Sequence, residues 1–138
     1  MIRILLADDH PVVRAGLRAM LTLDEVVEVV GEAATAVDAV SAAEELRPDV
    51  VLMDLQFGAS SAATGLRGRA ADAPVSTGAE ATRRIRAVDG APAVLVLTNY
   101  DSDGDILGAV EAGASGYLLK DAPPEDLLAA IRAAAAGE

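Results

Sequence analysis

The sequence predicts an α/β domain with a parallel sheet and helices on both of its faces. Strand-like and helix-like segments alternate along the chain, and the strand-like segments are short apolar runs. Hydrophobic residues make up 52% of the chain but aromatic residues only 2%, so the core consists of Val, Leu, Ile and Ala. This mixture suits a small parallel sheet under Ala-rich helices. The 138 residues fit one domain, residues 1–138, with a sizeable core.

Five short apolar runs are the predicted strands. They cover about residues 2–7, 26–30, 50–53, 93–97 and 116–119. Each run is bounded by a polar residue or a glycine, as is typical of buried strands. In this prediction Gly31 ends the second strand, and Asp54 follows the third.

Apolar residues at helical spacing predict five intervening helices. The first opens at His10-Pro11, because a proline in the first turn lacks only an N–H that has no helical partner. Val37, Val40 and Leu46 indicate the inward face of the second helix. The second helix covers 36–46, the third 78–86 and the fourth about 102–112. The last helix opens at Pro123-Pro124 and runs to Ala136. Such alternation favours a parallel sheet with right-handed crossovers.

Three acidic side chains stand where two predicted strands end. Asp8 and Asp9 follow the first strand, and Asp54 follows the third. The carboxyl ends of parallel strands meet at one edge of a sheet, which is where open α/β sheets place their ligand sites. Three carboxylates in one cleft repel each other, and a divalent cation relieves that repulsion; oxygen ligands alone suit Mg²⁺. The alternative is three helix N-caps, which explains one Asp better than the adjacent pair.

A hydroxyl and an ammonium group complete the predicted edge. Thr98 ends the fourth strand and Lys120 ends the fifth. Carboxylates, a cation and an ammonium group together suit phosphoryl transfer to a carboxylate, since the positive charges neutralise the phosphoryl oxygens. Taken singly, Thr98 could be a strand-end cap and Lys120 an exposed solubilising residue.

These motifs resemble those of the receiver domain of two-component response regulators, and in particular those of the NarL/LuxR-type subfamily. The resemblance rests on ADDHPVVR at 7–14, VLMDL at 51–55, LT at 97–98 and AGASGYLLKD at 112–121. It covers nearly the whole chain except about 58–77. The resemblance implies a flavodoxin-like (βα)5 three-layer sandwich with a parallel sheet of order 2-1-3-4-5.

The resemblance implies a role for each matched position of the predicted site. Asp54 is the expected phosphoacceptor, and it is also expected to bind Mg²⁺. Asp9 is expected to bind Mg²⁺ directly, Asp8 largely through water, and Gln56 through its backbone carbonyl. Lys120 is expected to pair with the phosphoryl oxygens.

Two further positions are expected to switch with phosphorylation. The hydroxyl of Thr98 is expected to move towards the phosphoryl group, and Tyr117 to change rotamer with it. An ordinary half-buried tyrosine is the alternative for Tyr117. The motion would relay the state of the site to the surface formed by the fourth helix, fifth strand and fifth helix.

The expected function is a phosphorylation-dependent signalling switch rather than an enzyme, although the domain assists its own phosphorylation and dephosphorylation. The implied partners are a sensor histidine kinase and, on activation, a second copy of the chain. The implied output is transcription through a helix-turn-helix domain that this chain lacks. A degenerate receiver that acts only by protein interaction is the main alternative. An aspartyl phosphatase is a weaker one, because His10 and Gln56 stand where an acid/base Asp is needed.

Composition limits the other functions that the chain could have. A net charge of −11 disfavours binding of nucleic acid through the domain's own surface, so DNA is expected to be contacted only through the missing domain. The absence of cysteine excludes disulfides and thiolate sites. No targeting signal or membrane span is apparent, which predicts a cytoplasmic protein.

The chain departs from the family pattern after Asp54. Residues 58–77 are rich in Gly, Ala and Ser and lack a period, which predicts a flexible inserted loop with roughly 15 extra residues. We hypothesise that Arg67 or Arg69 in this insert folds towards the acidic cleft, and that bulky Tyr100 slows dephosphorylation. His10, the only histidine, is expected to have a structural or solvent role because it precedes a helix-opening proline.

Overall fold

A computed structural model describes residues 2–54, 78–98, 113–119 and 123–136. Among these residues, strands and helices alternate for most of the chain. Their bounds are β1 Ile2–Ala7, α1 Pro11–Leu21, β2 Val27–Ala33, α2 Ala36–Leu46, β3 Val50–Asp54, α3 Gly78–Arg86, β4 Ala93–Thr98, β5 Gly116–Leu119 and α4 Pro124–Ala135. The predicted helix over about 102–112 and the predicted insert over 58–77 lie outside the described residues.

The five strands form one parallel sheet in the order β2-β1-β3-β4-β5. This is the predicted order, with β1 and β3 adjacent at the centre. The register aligns Ala7 of β1 with Met53 of β3, and Asp54 of β3 with Leu97 of β4. The carboxyl ends of the central strands are therefore level, and the residues that end them lie side by side.

The sheet carries one hydrophobic core on each face, as alternation of side chains along a strand requires. On one face, α2 and α3 cover Leu5, Val51 and Val94. On the other face, α1 and α4 cover Ile4, Leu52 and their neighbours, with Leu21, Leu127 and Ile131 as the main buried helical side chains. Both faces of the central strands are buried, which explains why these strands are continuous apolar runs.

The inward face of α2 includes two of the three predicted residues, because Val40 and Leu46 pack against the core, but it does not include Val37. Its buried residues are Ala36, Ala39 and Ala43, whereas Val37 is 41% exposed. Small side chains let the helix lie close to the sheet. Hydrophobicity favours the larger side chains, whereas the steric fit of alanine decides which side chains of this helix are fully buried.

Strand β2 also runs further than predicted. Gly31 does not end it, and the strand continues to Ala33 through a register shift opposite Ile4 and Leu5 of β1. A Cβ atom at Gly31 would lie 2.6 Å from Cδ1 of Leu46. The glycine thus gives space to a side chain of α2 and is not a stop signal. Asp54 and Thr98, which were expected to follow their strands, are the last residues of β3 and β4.

Within the part of the chain that the structure describes, none of the helices has the length and apolarity that crossing a bilayer requires.

Candidate functional site

Three carboxylates meet at the carboxyl end of the two central strands. Asp54 is the last residue of β3, and Asp8 and Asp9 follow β1 directly. Asp8 and Asp54 are buried, with 2% and 1% of their surface exposed, while the side chain of Asp9 is partly exposed. The predicted cluster of acidic residues is therefore present, and it opens to solvent on the side of Asp9.

The cluster is compact enough to hold one cation. One ligand atom from each of Asp8, Asp9, Asp54 and His10 lies within 4.8 Å of the corresponding atoms of the others. Unit charges roughly 4 Å apart repel by about 4 kcal/mol at an effective dielectric constant of about 20. A divalent cation bound between the carboxylates would replace this repulsion with attraction, and carboxylate oxygens are the ligands that hard cations prefer.

Backbone hydrogen bonds hold the turn that carries Asp8 and Asp9. The N–H of Asp8 donates to the carbonyl oxygen of Ala33 at 3.1 Å, which extends the pairing of β1 with β2 by one residue. The N–H of His10 donates to Oδ1 of Asp8 at 2.8 Å. Nη1 of Arg14 donates to the carbonyl oxygen of Asp8 at 2.7 Å. These bonds hold the backbone of the turn, and one of them also holds the carboxylate of Asp8.

Arg14 belongs to a charged group that joins α1 to β2. Its Nε donates to Oε1 of Glu32 at 3.0 Å, and Arg18 donates to the other carboxylate oxygen of Glu32. Burial alone would raise the pKa of Glu32, but the hydrogen bonds and positive charges of Arg18 and Arg14 together lower it below its ordinary value. Glu32 therefore orients the arginine that holds the Asp8 turn.

His10, for which the sequence predicted a structural or solvent role, lies at this site. Its Nδ1 lies 3.0 Å from Oδ1 of Asp8, 3.0 Å from Oδ1 of Asp9 and 3.7 Å from Oδ2 of Asp54. The backbone of His10 caps α1, but its side chain makes no capping hydrogen bond there. The following proline indicated the capping position, and nothing in the sequence showed that the side chain turns towards the carboxylates.

The remaining predicted site residues are only partly within the described chain. Thr98 ends β4 and pairs with Leu119 of β5, which places it at the same edge of the sheet as Asp54. Tyr117 lies on β5 and is 45% exposed. The switching roles of Thr98 and Tyr117 remain predictions. Five predicted positions lie outside the described residues: Gln56, Arg67, Arg69, Tyr100 and Lys120.

The parallel sheet and the carboxylates at its edge are features of a protein family, which comparison with known proteins identifies. The family described as "Response regulator receiver domain" matches residues 4–67 and 71–132 of the chain. The chain therefore belongs to the response regulator receiver domain family, whose members are signalling modules.

The relatives in this family point to the NarL/LuxR type, as the motifs predicted. The chain is 41% identical over 138 residues to the transcriptional regulatory protein LiaR of Bacillus subtilis, covering all of this chain and 58% of that protein. It is 40% identical over 136 residues to the nitrate/nitrite response regulator protein NarP of Escherichia coli, covering 98% of this chain and 55% of that protein. The chain thus spans little more than half the length of these curated relatives.

Solved structures agree with this assignment. A two-component response regulator of the LuxR family from Aurantimonas sp. SI85-9A1 superposes with a TM-score of 0.82 at 40% identity, covering 100% of this chain and 87% of that one. The receiver domain of the putative response regulator NarL from Mycobacterium tuberculosis also gives a TM-score of 0.82, at 28% identity, covering 99% and 98% of the two chains. The predicted flavodoxin-like receiver fold is confirmed.

Proposed function

We propose that the chain is a phosphoacceptor switch in which Asp54 receives a phosphoryl group from a phosphohistidine of a sensor histidine kinase. The observation that supports this most directly is the gathering of Asp8, Asp9 and Asp54 at the ends of two adjacent parallel strands. An Asp that only caps a helix does not need two other carboxylates beside it, whereas a phosphoacceptor beside a cation site does.

The proposed cation is Mg²⁺, held by Asp8, Asp9 and Asp54 together with the backbone carbonyl of Gln56. The donor set fits this ion, because three carboxylates offer hard oxygen ligands that lie within 4.8 Å of one another. When bound, Mg²⁺ neutralises charge on the phosphoryl oxygens and so permits an anionic nucleophile to approach them.

The protein's own residues perform the remaining steps of the transfer. A carboxylate oxygen of Asp54 forms a bond to phosphorus as the bond from phosphorus to the kinase imidazole nitrogen breaks, and that nitrogen then takes up a proton. Buried surroundings limit the entry of water to the resulting acyl phosphate, since Asp54 is only 1% exposed. Lys120 would pair with the transferred oxygens, and Thr98 and Tyr117 would respond to them.

The relatives' names suggest the output and setting of the switch. LiaR is called a transcriptional regulatory protein and NarP a response regulator. By analogy, phosphorylation would shift a pre-existing equilibrium of this domain, promote a homodimer, and control transcription through a DNA-binding domain. The proposal places the protein in the cytoplasm, where its kinase partner would transfer the phosphoryl group.

The first test is phosphorylation by a small acyl-phosphate donor, followed by intact-mass measurement. We expect one added phosphoryl group on the wild type in the presence of Mg²⁺ and none with a chelator. Asp54→Asn should gain no phosphoryl group. Asp38→Asn, which changes an exposed carboxylate on α2, is the matched control and should react like the wild type. A folded wild type that gains no phosphoryl group would instead indicate a degenerate receiver.

A further inference from the structure

The position of the His10 side chain indicates which cation the site prefers. Its ring nitrogen Nδ1 is 3.0 Å from a carboxylate oxygen of Asp8 and 3.0 Å from one of Asp9. It is 3.7 Å from Oδ2 of Asp54, which ends the neighbouring strand. The nitrogen therefore contacts carboxylates from both strands and not only its neighbours in sequence.

Nδ1 of His10 and Oδ1 of Asp8 form a hydrogen bond that a bound cation would replace, and the same distances match those between ligands of a single ion. With metal–ligand bonds of about 2.0–2.2 Å, two donors to the same cation lie roughly 3–4.4 Å apart, depending on the angle between them. The three distances from Nδ1 of His10 fall inside this range. A small adjustment of the side chains would place one cation within bonding distance of the nitrogen and the three carboxylates.

The backbone fixes His10 at this position, and its ring stays accessible. Its N–H donates to Oδ1 of Asp8 at 2.8 Å, and Pro11 follows as the first residue of α1. The side chain is 55% exposed, so the ring stands at the open side of the cleft. A ligand at this point can meet a cation that enters the cleft from solvent.

We propose that Nδ1 of His10 is a further protein ligand beside the carboxylates, which makes this a mixed nitrogen and oxygen site that favours divalent transition metals over Mg²⁺. The inference rests on the proposed cation site and goes beyond it in assigning metal selectivity. Imidazole nitrogen binds Co²⁺ and Zn²⁺ far better than it binds Mg²⁺, which prefers oxygen and keeps its water. His10 thus raises the affinity for the transition metals selectively.

Calorimetric titration with Mg²⁺ and with Co²⁺ tests the assignment. In untagged His10→Ala, we expect Co²⁺ affinity to fall by about tenfold or more, since even residues behind the ligands cost that much in metal sites. Mg²⁺ affinity should fall by a smaller factor, so the ratio of the two affinities decreases. His10→Gln, which keeps a polar side chain without the ring, should show the same decrease, and circular dichroism checks that both variants are folded.

A second measurement observes the nitrogen itself. Because the chain has a single histidine, its imidazole ¹⁵N resonances are assigned without ambiguity. Zn²⁺ should shift the Nδ1 resonance strongly, and equimolar Mg²⁺ should shift it much less.

The results that would contradict the role of His10 differ from those that would contradict the proposed function. An unchanged Co²⁺-to-Mg²⁺ ratio in His10→Ala, or an Nδ1 resonance that Zn²⁺ leaves in place, would overturn the assignment of His10. Tighter binding of both cations by His10→Ala would also overturn it, because the ring would then be a competitor for the carboxylates. None of these results affects phosphorylation of Asp54 as measured by mass. Failure of the wild type to bind either cation would overturn the cation site as a whole.

Discussion

At the scale of single residues, the site is a concentration of negative charge at the end of a buried strand. Asp54 lies at the edge of a hydrophobic sheet, and Asp8 and Asp9 are its neighbours across the strand boundary. Burial weakens the solvent's screening of these charges, so their mutual repulsion opposes folding in the absence of a cation. The arrangement thus provides a cation site, but it lowers the stability of the metal-free protein.

This repulsion predicts that removal of one carboxylate stabilises the metal-free protein. In the presence of a chelator, Asp54→Asn should raise the stability by about 1 kcal/mol, or roughly 2–4 °C in the melting temperature. Differential scanning calorimetry measures the shift. Asp89→Asn should leave the melting temperature nearly unchanged, because that carboxylate is exposed in the turn that follows α3. A lower melting temperature for Asp54→Asn would show that repulsion is not the dominant interaction at this position.

At the scale of elements, the Asp8 turn depends on the link between α1 and β2. Arg14 holds the carbonyl oxygen of Asp8, and Glu32 holds both Arg14 and Arg18. The link ties the first helix to an outer strand on the far side of β1. It allows the protonation of one carboxylate on β2 to influence a turn that carries two site residues.

The lowered pKa of Glu32 predicts how this link depends on pH. A carboxyl group with a pKa below its ordinary value of 4.5 stabilises the fold fully above that value. The contribution is lost as the pH falls through the lowered pKa. Glu32→Gln should therefore cost roughly 0.5–1 kcal/mol at neutral pH, and the difference from wild type should shrink below pH 4.5. Urea unfolding across this range provides the measurement.

A neighbouring glutamate on the same strand is the control for this prediction. Glu28→Gln changes an exposed side chain of β2 that makes none of these contacts with Arg14 or Arg18. Its stability difference from wild type should be small at every pH. If Glu32→Gln showed a constant difference from neutral to acidic pH, the ion pairs would not be the source of its effect.

The elements also show what sequence patterns could and could not predict. Alternation, apolar runs and residues at strand ends predicted a parallel sheet and the acidic edge, and the resemblance to the receiver family supplied the strand order. The buried face of α2 and the end of β2 depended on steric fit at Ala39 and Gly31, which hydrophobicity does not measure. The direction of the His10 side chain depended on a rotamer, and a rotamer is set by surroundings that only the folded chain supplies.

At the scale of the whole molecule, the net charge of −11 and the acidic edge both favour cations near the domain. Added salt therefore has two effects on the domain. Monovalent salt screens the overall negative charge, whereas Mg²⁺ also binds the three carboxylates of the site. Only the second effect depends on Asp9 and its neighbours.

Specific binding predicts that Mg²⁺ stabilises the whole fold beyond the effect of ionic strength. At a free concentration about 100 times the dissociation constant, the gain is about 2.7 kcal/mol. Thermal unfolding in MgCl₂, compared with KCl at matched ionic strength, measures this gain. The gain should be much smaller in Asp9→Ala, which loses one ligand. Equal stabilisation by the two salts would show that the acidic edge has no specific cation site.

The most direct test of the phosphoacceptor site is to trap the acyl phosphate where it forms. Borohydride reduces an aspartyl phosphate to homoserine, so peptide mass spectrometry after treatment with a phosphoryl donor identifies the modified residue. We predict homoserine at position 54 in the peptide that spans β3, dependent on Mg²⁺, with Asp8 and Asp9 unmodified. Homoserine at Asp8 or Asp9, or its absence throughout a folded and Mg²⁺-loaded protein, would contradict the assignment of Asp54 as the acceptor.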